Sequence, residues 1–163
     1  MQDNCLPIIE IRGSPRERGR HQGQGARTQI LRALTRYCEV IPRAIGLGWE
    51  AAQREARKFL PYAEEAFPQF VDELRGIAEG AQVPFEEVWT LNCYEGLTDI
   101  QHQVWGCTSM AVRDDQTADG HVLMAHNEDW NSVDKGNAYL VHAVPDDGPP
   151  FIGMTYGPLL VNI

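Results

Sequence analysis

The sequence predicts an α+β chain, with a helical N-terminal half followed by antiparallel strands. Three observations predict it. Between residues 14 and 92 apolar side chains recur at three- and four-residue spacing, the period of a helix with one buried face. After Cys107 the period drops to two. The segments there are joined by short connections rich in Asp, Gly and Pro, which suit antiparallel pairing. The change divides the chain into a mainly helical segment, residues 1–106, and the start of a strand-built part, residues 107–163.

Residues 6–12 alternate around Ile9 and Ile11 and read as a short strand that Gly13 breaks. Ser14-Pro15-Arg16-Glu17 reads as a capping box with proline in the first turn, so a helix is expected from there to about Val40. Ile30, Leu31, Leu34, Cys38 and Ile41 would share its buried face, Cys38 as a small hydrophobe, and Pro42 would end it. Gly19 and Gly23 lie one turn apart inside it. Each costs about 1 kcal/mol relative to alanine, so close approach of another backbone is expected there.

A second helix is expected over residues 49–60, closed by Pro61. A third covers residues 69–81, with Phe70, Val71, Leu74, Ile77, Ala78 and Ala81 in phase. Pro84 opens a short fourth that buries Val88 and Leu91. Residues 94–106 show no period and read as an exposed connector, which suits a processing site. Strands are expected over residues 107–113, 121–126, 138–144 and 151–156, with turns at 114–120 and 145–150. A fifth strand begins at Leu159. The chain closes on the apolar run 159–163, an open edge that leads us to expect further polypeptide.

Hydrophobic residues make up 43% of the 163 positions and charged residues 23%, the balance of a globular protein. No apolar run reaches the ~18–20 residues of a membrane span, and the first residues lack a basic stretch followed by an apolar core. A cytoplasmic protein without membrane contact is the expectation. The net charge of −9 argues against nucleic acid as a partner. Arg12, Arg16, Arg18, Arg20, Arg27, Arg32 and Arg36 form a local basic series. It reads as a solvated helix face, or as a site for a phosphorylated substrate such as a coenzyme A ester. Cys5, Cys38, Cys93 and Cys107 are too widely spaced for a short metal or redox motif. His121, His126 and His142 match no ligand spacing, and no glycine-rich phosphate loop is present. From these spacings no metal site is expected.

Trp105-Gly106-Cys107-Thr108-Ser109 carries the chemistry. If the Cys107 thiol attacks the Gly106 carbonyl, an N-to-S acyl shift gives a thioester, and water separates residues 1–106 from the rest. Glycine, lacking Cβ, admits the tight turn and close approach this needs. The new α-amine of Cys107 has an ordinary pKa of about 7.7–8.0 and can serve as base for its own thiol. Asp129 follows the second strand, where a hairpin brings a carboxylate towards Cys107; it reads as a partner for the α-ammonium or a substrate amine, or as a solvated strand end. Asn127 reads as an amide donor to substrate or as a turn former. Thr108, beside the nucleophile, is the other candidate for orienting substrate.

The chain resembles the acyl-coenzyme A:6-aminopenicillanic acid acyltransferase family, the peptidase C45 group of N-terminal nucleophile hydrolases. Four stretches carry the resemblance: Ser14 to Gly23, Glu73 to Ala81 with its Arg-Gly-Ile-Ala-x-Gly-Ala pattern, Leu91-Asn92, and Gly106-Cys107-Thr108-Ser109 with Ala118-Asp119-Gly120 and Asn127-Glu128-Asp129-Trp130. The resemblance implies the first part of a four-layer αββα fold and self-cleavage between Gly106 and Cys107. It implies Cys107 as nucleophile and Asp129 as active-site aspartate. The activity implied is transfer of an acyl group, held as a Cys107 thioester, to an amine or to water, with neither a metal nor an organic cofactor. The family's oxyanion-hole asparagine and a later arginine lie beyond residue 163. Such a donor is worth ~2.7–4 kcal/mol, so this stretch alone would be a poor catalyst. Glu128 adds a charge at a position where the family can carry tryptophan.

Two other readings compete. One is a non-catalytic remnant that pairs with a second chain, or with a missing C-terminal portion, through its open strand. The other is an amide hydrolase closer to the bile-salt or ceramide enzymes, whose nucleophile lies near the start of the chain; the long helical segment before Cys107 argues against it.

Overall fold

A computed structural model of the chain describes residues 5–98, 106–129 and 132–161. They fall into two compact units, Met1–Asp99 with Val133–Ile163, and Ile100–Ser132. The architecture is α+β, helical first and strand-built afterwards. The first half runs β1 (Ile8–Gly13), α1 (Pro15–Gly25), α2 (Arg27–Ile45), α3 (Trp49–Arg57), α4 (Leu60–Ala66), α5 (Pro68–Ala81), α6 (Phe85–Asn92) and α7 (Tyr94–Thr98). The second half supplies β2 (Thr108–Val112), β3 (Leu123–Asn127), β4 (Ala138–Pro145) and β5 (Phe151–Tyr156).

In the first unit, α1 starts where the capping residues place it. The Ser14 backbone N–H and hydroxyl both donate to the Glu17 carboxylate, at 2.9 and 2.6 Å. The expected single helix is two. It breaks at Ala26, which is fully buried, with φ −101° and ψ 18°. Beyond the break α2 buries Ile30, Ala33, Leu34, Tyr37 and Ile41. Leu31 and Cys38 lie off that stripe, and the half-buried Cys38 thiol donates to the Thr35 carbonyl at 3.1 Å. Pro42 sits inside α2 rather than ending it. Proline removes one N–H from the ladder, and the helix closes one turn later on left-handed Gly46. Pro61 likewise lies in the first turn of α4, where proline is at home, rather than terminating α3.

The tightest packing joins α1 to α5. A Cβ on Gly19 would collide with the Glu73 carbonyl, and one on Gly76 with that of Arg16. Gly23 and Gly80 are opposed in the same way to the backbones of Ile77 and Arg20. The small residues let two helical backbones touch, as Gly19 and Gly23 led us to expect. Beside the contact Arg18 donates to Glu73 at 2.8 Å and to the Gly13 carbonyl at 3.1 Å, with both charged side chains under 10% exposed. Burial pushes the Glu73 carboxyl above its ordinary value, outweighing the opposing pull of Arg18.

The sheet of this unit has the order β1-β4-β5. β4 and β5 form the expected antiparallel hairpin, whereas β1 pairs parallel to β4, with Ile11 opposite Ala143. The expected fifth strand is absent over Leu159 to Val161. Side chains satisfy that backbone instead: Gln22 and Thr155 donate to the Leu159 carbonyl, and Asn92 Oδ1 accepts from the Leu160 N–H at 3.2 Å. Asn92 also donates to the Pro158 carbonyl, so this side chain acts as a clasp on the segment. None of the described helices is long and apolar enough to cross a membrane.

Candidate active site

The second unit is built on the β2–β3 hairpin, whose register brings the chemistry together. Thr108 pairs with Asn127 and Ser109 with His126. One step further along, Cys107 stands opposite Glu128. Side chains alternate faces along a strand, so Cys107, Ser109, His126 and Glu128 share one face and Thr108 and Asn127 the other.

The hydrogen bonds follow this division. The exposed Cys107 thiol donates to Glu128 Oε2 at 3.6 Å. The same oxygen lies 2.6 Å from His126 Nε2, and His126 Nδ1 lies 2.9 Å from Ser109 Oγ. Thiol, carboxylate, imidazole and hydroxyl form one chain. Glu128 and His126 are its sheltered members, their side chains 19% and 31% exposed. On the other side Asn127 Nδ2 donates to Asp129 Oδ1 at 2.9 Å.

The site residues expected from sequence are thus sorted by the ladder. The carboxylate at the Cys107 thiol is Glu128. Asp129 is held by Asn127, and Thr108 is the register partner of Asn127. Gly106 is exposed, with nothing within 4 Å of a Cβ built on it, so among the described residues no crowding requires glycine there. Trp105, Trp130 and most of the expected connector lie outside the described residues. Equal offset from the turn was the sequence signal for the Cys107–Glu128 and Ser109–His126 pairs; the expected hairpin had aimed Asp129, one residue further on, at Cys107 instead.

Cys107, His126 and Glu128 each offer one donor atom, all within 4.8 Å of one another, so these three could hold a metal ion. Elsewhere part of the arginine series is tied into the first unit. Arg16 pairs with Asp72 and Glu79, Arg27 donates to the Ala81 carbonyl, and Arg32 to that of Gly136. Burial pushes the Cys93 thiol up to about 12.

No family model matches the chain. It is similar to an uncharacterised protein of Archaeoglobus fulgidus, 28% identical over 91% of the chain and 29% of that protein. It is also similar to the beta-alanyl-dopamine/carcinine hydrolase of Drosophila melanogaster, 25% identical over 87% of the chain and 38% of the enzyme. The protein dcd1A of Dictyostelium discoideum is 22% identical over 68% of the chain and 29% of its own length. The chain is a distant relative of a hydrolase. It spans about a third of the length of the curated relatives it matches.

Proposed function

We propose that this chain is the N-terminal part of a self-cleaving cysteine amidohydrolase or acyltransferase. The observation that carries the reading is the exposed Cys107 thiol at the mouth of the hairpin, hydrogen-bonded to a carboxylate that His126 holds in place. In the first step Sγ attacks the Gly106 carbonyl carbon. The C–N bond breaks, the proton passes to the departing α-amine, and a Gly106 thioester forms. Water then cleaves the thioester, leaving a Gly106 carboxylate, a free thiol and a Cys107 α-amine. Glu128, fixed by His126, accepts the thiol proton at the start of each cycle. Asp129, Asn127 and Thr108 orient the amine part of the substrate.

In the mature enzyme the acyl group of an amide, or of a thioester such as an acyl-coenzyme A, passes to Cys107 and then to water or an amine. Similarity to an enzyme named for hydrolysing beta-alanyl-dopamine and carcinine supports hydrolysis of small amides. The catalytic unit is completed by further polypeptide of the kind these longer relatives carry.

A second reading, a non-catalytic interaction module, draws support from the exposed Met110, Val122, Leu123 and Met124 of the hairpin unit. Intact mass under denaturing conditions decides between them. The first reading expects two fragments from the parent and one chain from Cys107→Ala. One uncut chain from both would overturn it in favour of the second.

A further inference from the structure

We infer that Cys107, His126 and Glu128 form a binding site for a thiophilic divalent cation, zinc being the natural occupant. The donor set is what zinc selects: a thiolate, an imidazole and a carboxylate. The sequence offers no ligand motif because the ligands are cross-strand partners rather than neighbours on one helix or loop. The ladder supplies the convergence that spacing does not, placing all three on one face of the hairpin.

The distances suit the ion. With Zn–S of about 2.3 Å and Zn–N and Zn–O of about 2.0–2.2 Å, a tetrahedral site holds its ligand atoms roughly 3.4–3.6 Å apart. Cys107 Sγ and Glu128 Oε2 are already 3.6 Å apart. Glu128 Oε2 and His126 Nε2 are at 2.6 Å, hydrogen-bonded to each other, and must open by somewhat under about 1 Å. That is a side-chain rotation at a hairpin end, not a change of backbone.

Ser109 prepares the histidine. A metal needs the Nε2 lone pair, so the imidazole proton must sit on Nδ1. Ser109 Oγ, 2.9 Å away, is placed to accept it. Without metal the hydroxyl reverses, donating to Nδ1 while Nε2–H donates to Glu128. On binding, the Cys107 thiol loses its proton to solvent, and three protein ligands leave a fourth position for water.

The site does not depend on cleavage at Cys107. Its consequence for catalysis rests on the reading above: zinc and substrate compete for the same sulfur, so the metal holds the nucleophile silent.

The test uses the full chain carrying Cys5→Ser, which removes the other exposed thiol, and needs no activity. Cobalt(II) is titrated in as a spectroscopic stand-in and then displaced with zinc. In parallel, iodoacetamide labelling of Cys107 is timed with and without zinc. The expected result is one cobalt per chain with a thiolate-to-cobalt absorption band, and labelling slowed about tenfold or more by zinc. Both effects should disappear in His126→Ala and in Glu128→Gln and persist in His121→Ala, an exposed histidine elsewhere in the same unit. Absence of the band, or protection that survives loss of His126 and Glu128, would overturn the site. Cleavage seen by mass without metal binding would sink this inference and leave the enzymatic reading intact. Metal binding in an uncut chain would do the reverse.

Discussion

Cys107 stands across the β2–β3 ladder from Glu128, and its thiol donates to Glu128 Oε2 at 3.6 Å, while the next residue, Asp129, is bonded to Asn127. A single register thus sends two adjacent carboxylates to different partners. Glu128 is placed to act on sulfur, and Asp129 on whatever approaches from the Asn127 side.

The four cysteines should separate by reactivity. At pH 8 a thiol with a pKa near 12 is about one part in ten thousand thiolate, the form that reacts. Brief iodoacetamide treatment of the native chain followed by peptide mass mapping should label exposed Cys107 and leave Cys93 unlabelled until denaturant is added. Equal native labelling of both would refute the shielding of Cys93.

Gly76→Ala should destabilise the first unit by about 1–3 kcal/mol, the usual cost of overpacking, because the methyl group meets the Arg16 carbonyl, which belongs to a helix backbone and cannot swing away. Gly96→Ala is the control, since its methyl would meet only Phe59 at 3.9 Å. Urea midpoints for the two variants should move differently. An unchanged midpoint for Gly76→Ala would refute direct backbone contact between α1 and α5.

Arg18→Met should cost about 3–5 kcal/mol at neutral pH by leaving the Glu73 carboxylate buried without its partner. The pH dependence has a fixed sign. Burial already holds the folded Glu73 pKa above the unfolded 4.5, and removing Arg18 removes the interactions that lower it. A carboxyl with a raised folded pKa contributes fully below the unfolded value and loses that contribution as pH rises through the folded one. The deficit of the variant should therefore be larger at pH 7.5 than at pH 5.5 in denaturant titrations. A deficit that shrinks with rising pH would contradict this account.

Local pattern was legible in the sequence, and long-range pairing was not. The buried stripe of α5 follows from its period except at Phe70, which is exposed, and Gly19 and Gly23 announced a close backbone contact because glycine inside a helix is otherwise costly. The partners of that contact, Gly76 and Gly80, are invisible to periodicity, which says which face is buried and not against what. The parallel β1–β4 pair was missed because short connections report only on hairpins, and these strands lie far apart in the chain. The break at the fully buried Ala26 and the passage of α2 through Pro42 are cases where the local pattern did not place the helix ends. At the candidate site the sequence singled out Cys107 and passed over Glu128, because the carboxylate was placed only as following the second strand, while the ladder selects residues by parity.

The parallel pairing of β1 with β4 bears on what a cut at Gly106 would leave behind. Residues before the cut supply β1, Gln22, Tyr37 and Asn92. Residues after it supply β4, Tyr139, Asp134 and Leu160. These are joined by a strand ladder and by the Gln22–Tyr139, Tyr37–Asp134 and Asn92–Leu160 hydrogen bonds. The nicked molecule would be an interlocked heterodimer with a shared sheet, its two pieces migrating together on a native column and parting only when the fold is dissolved.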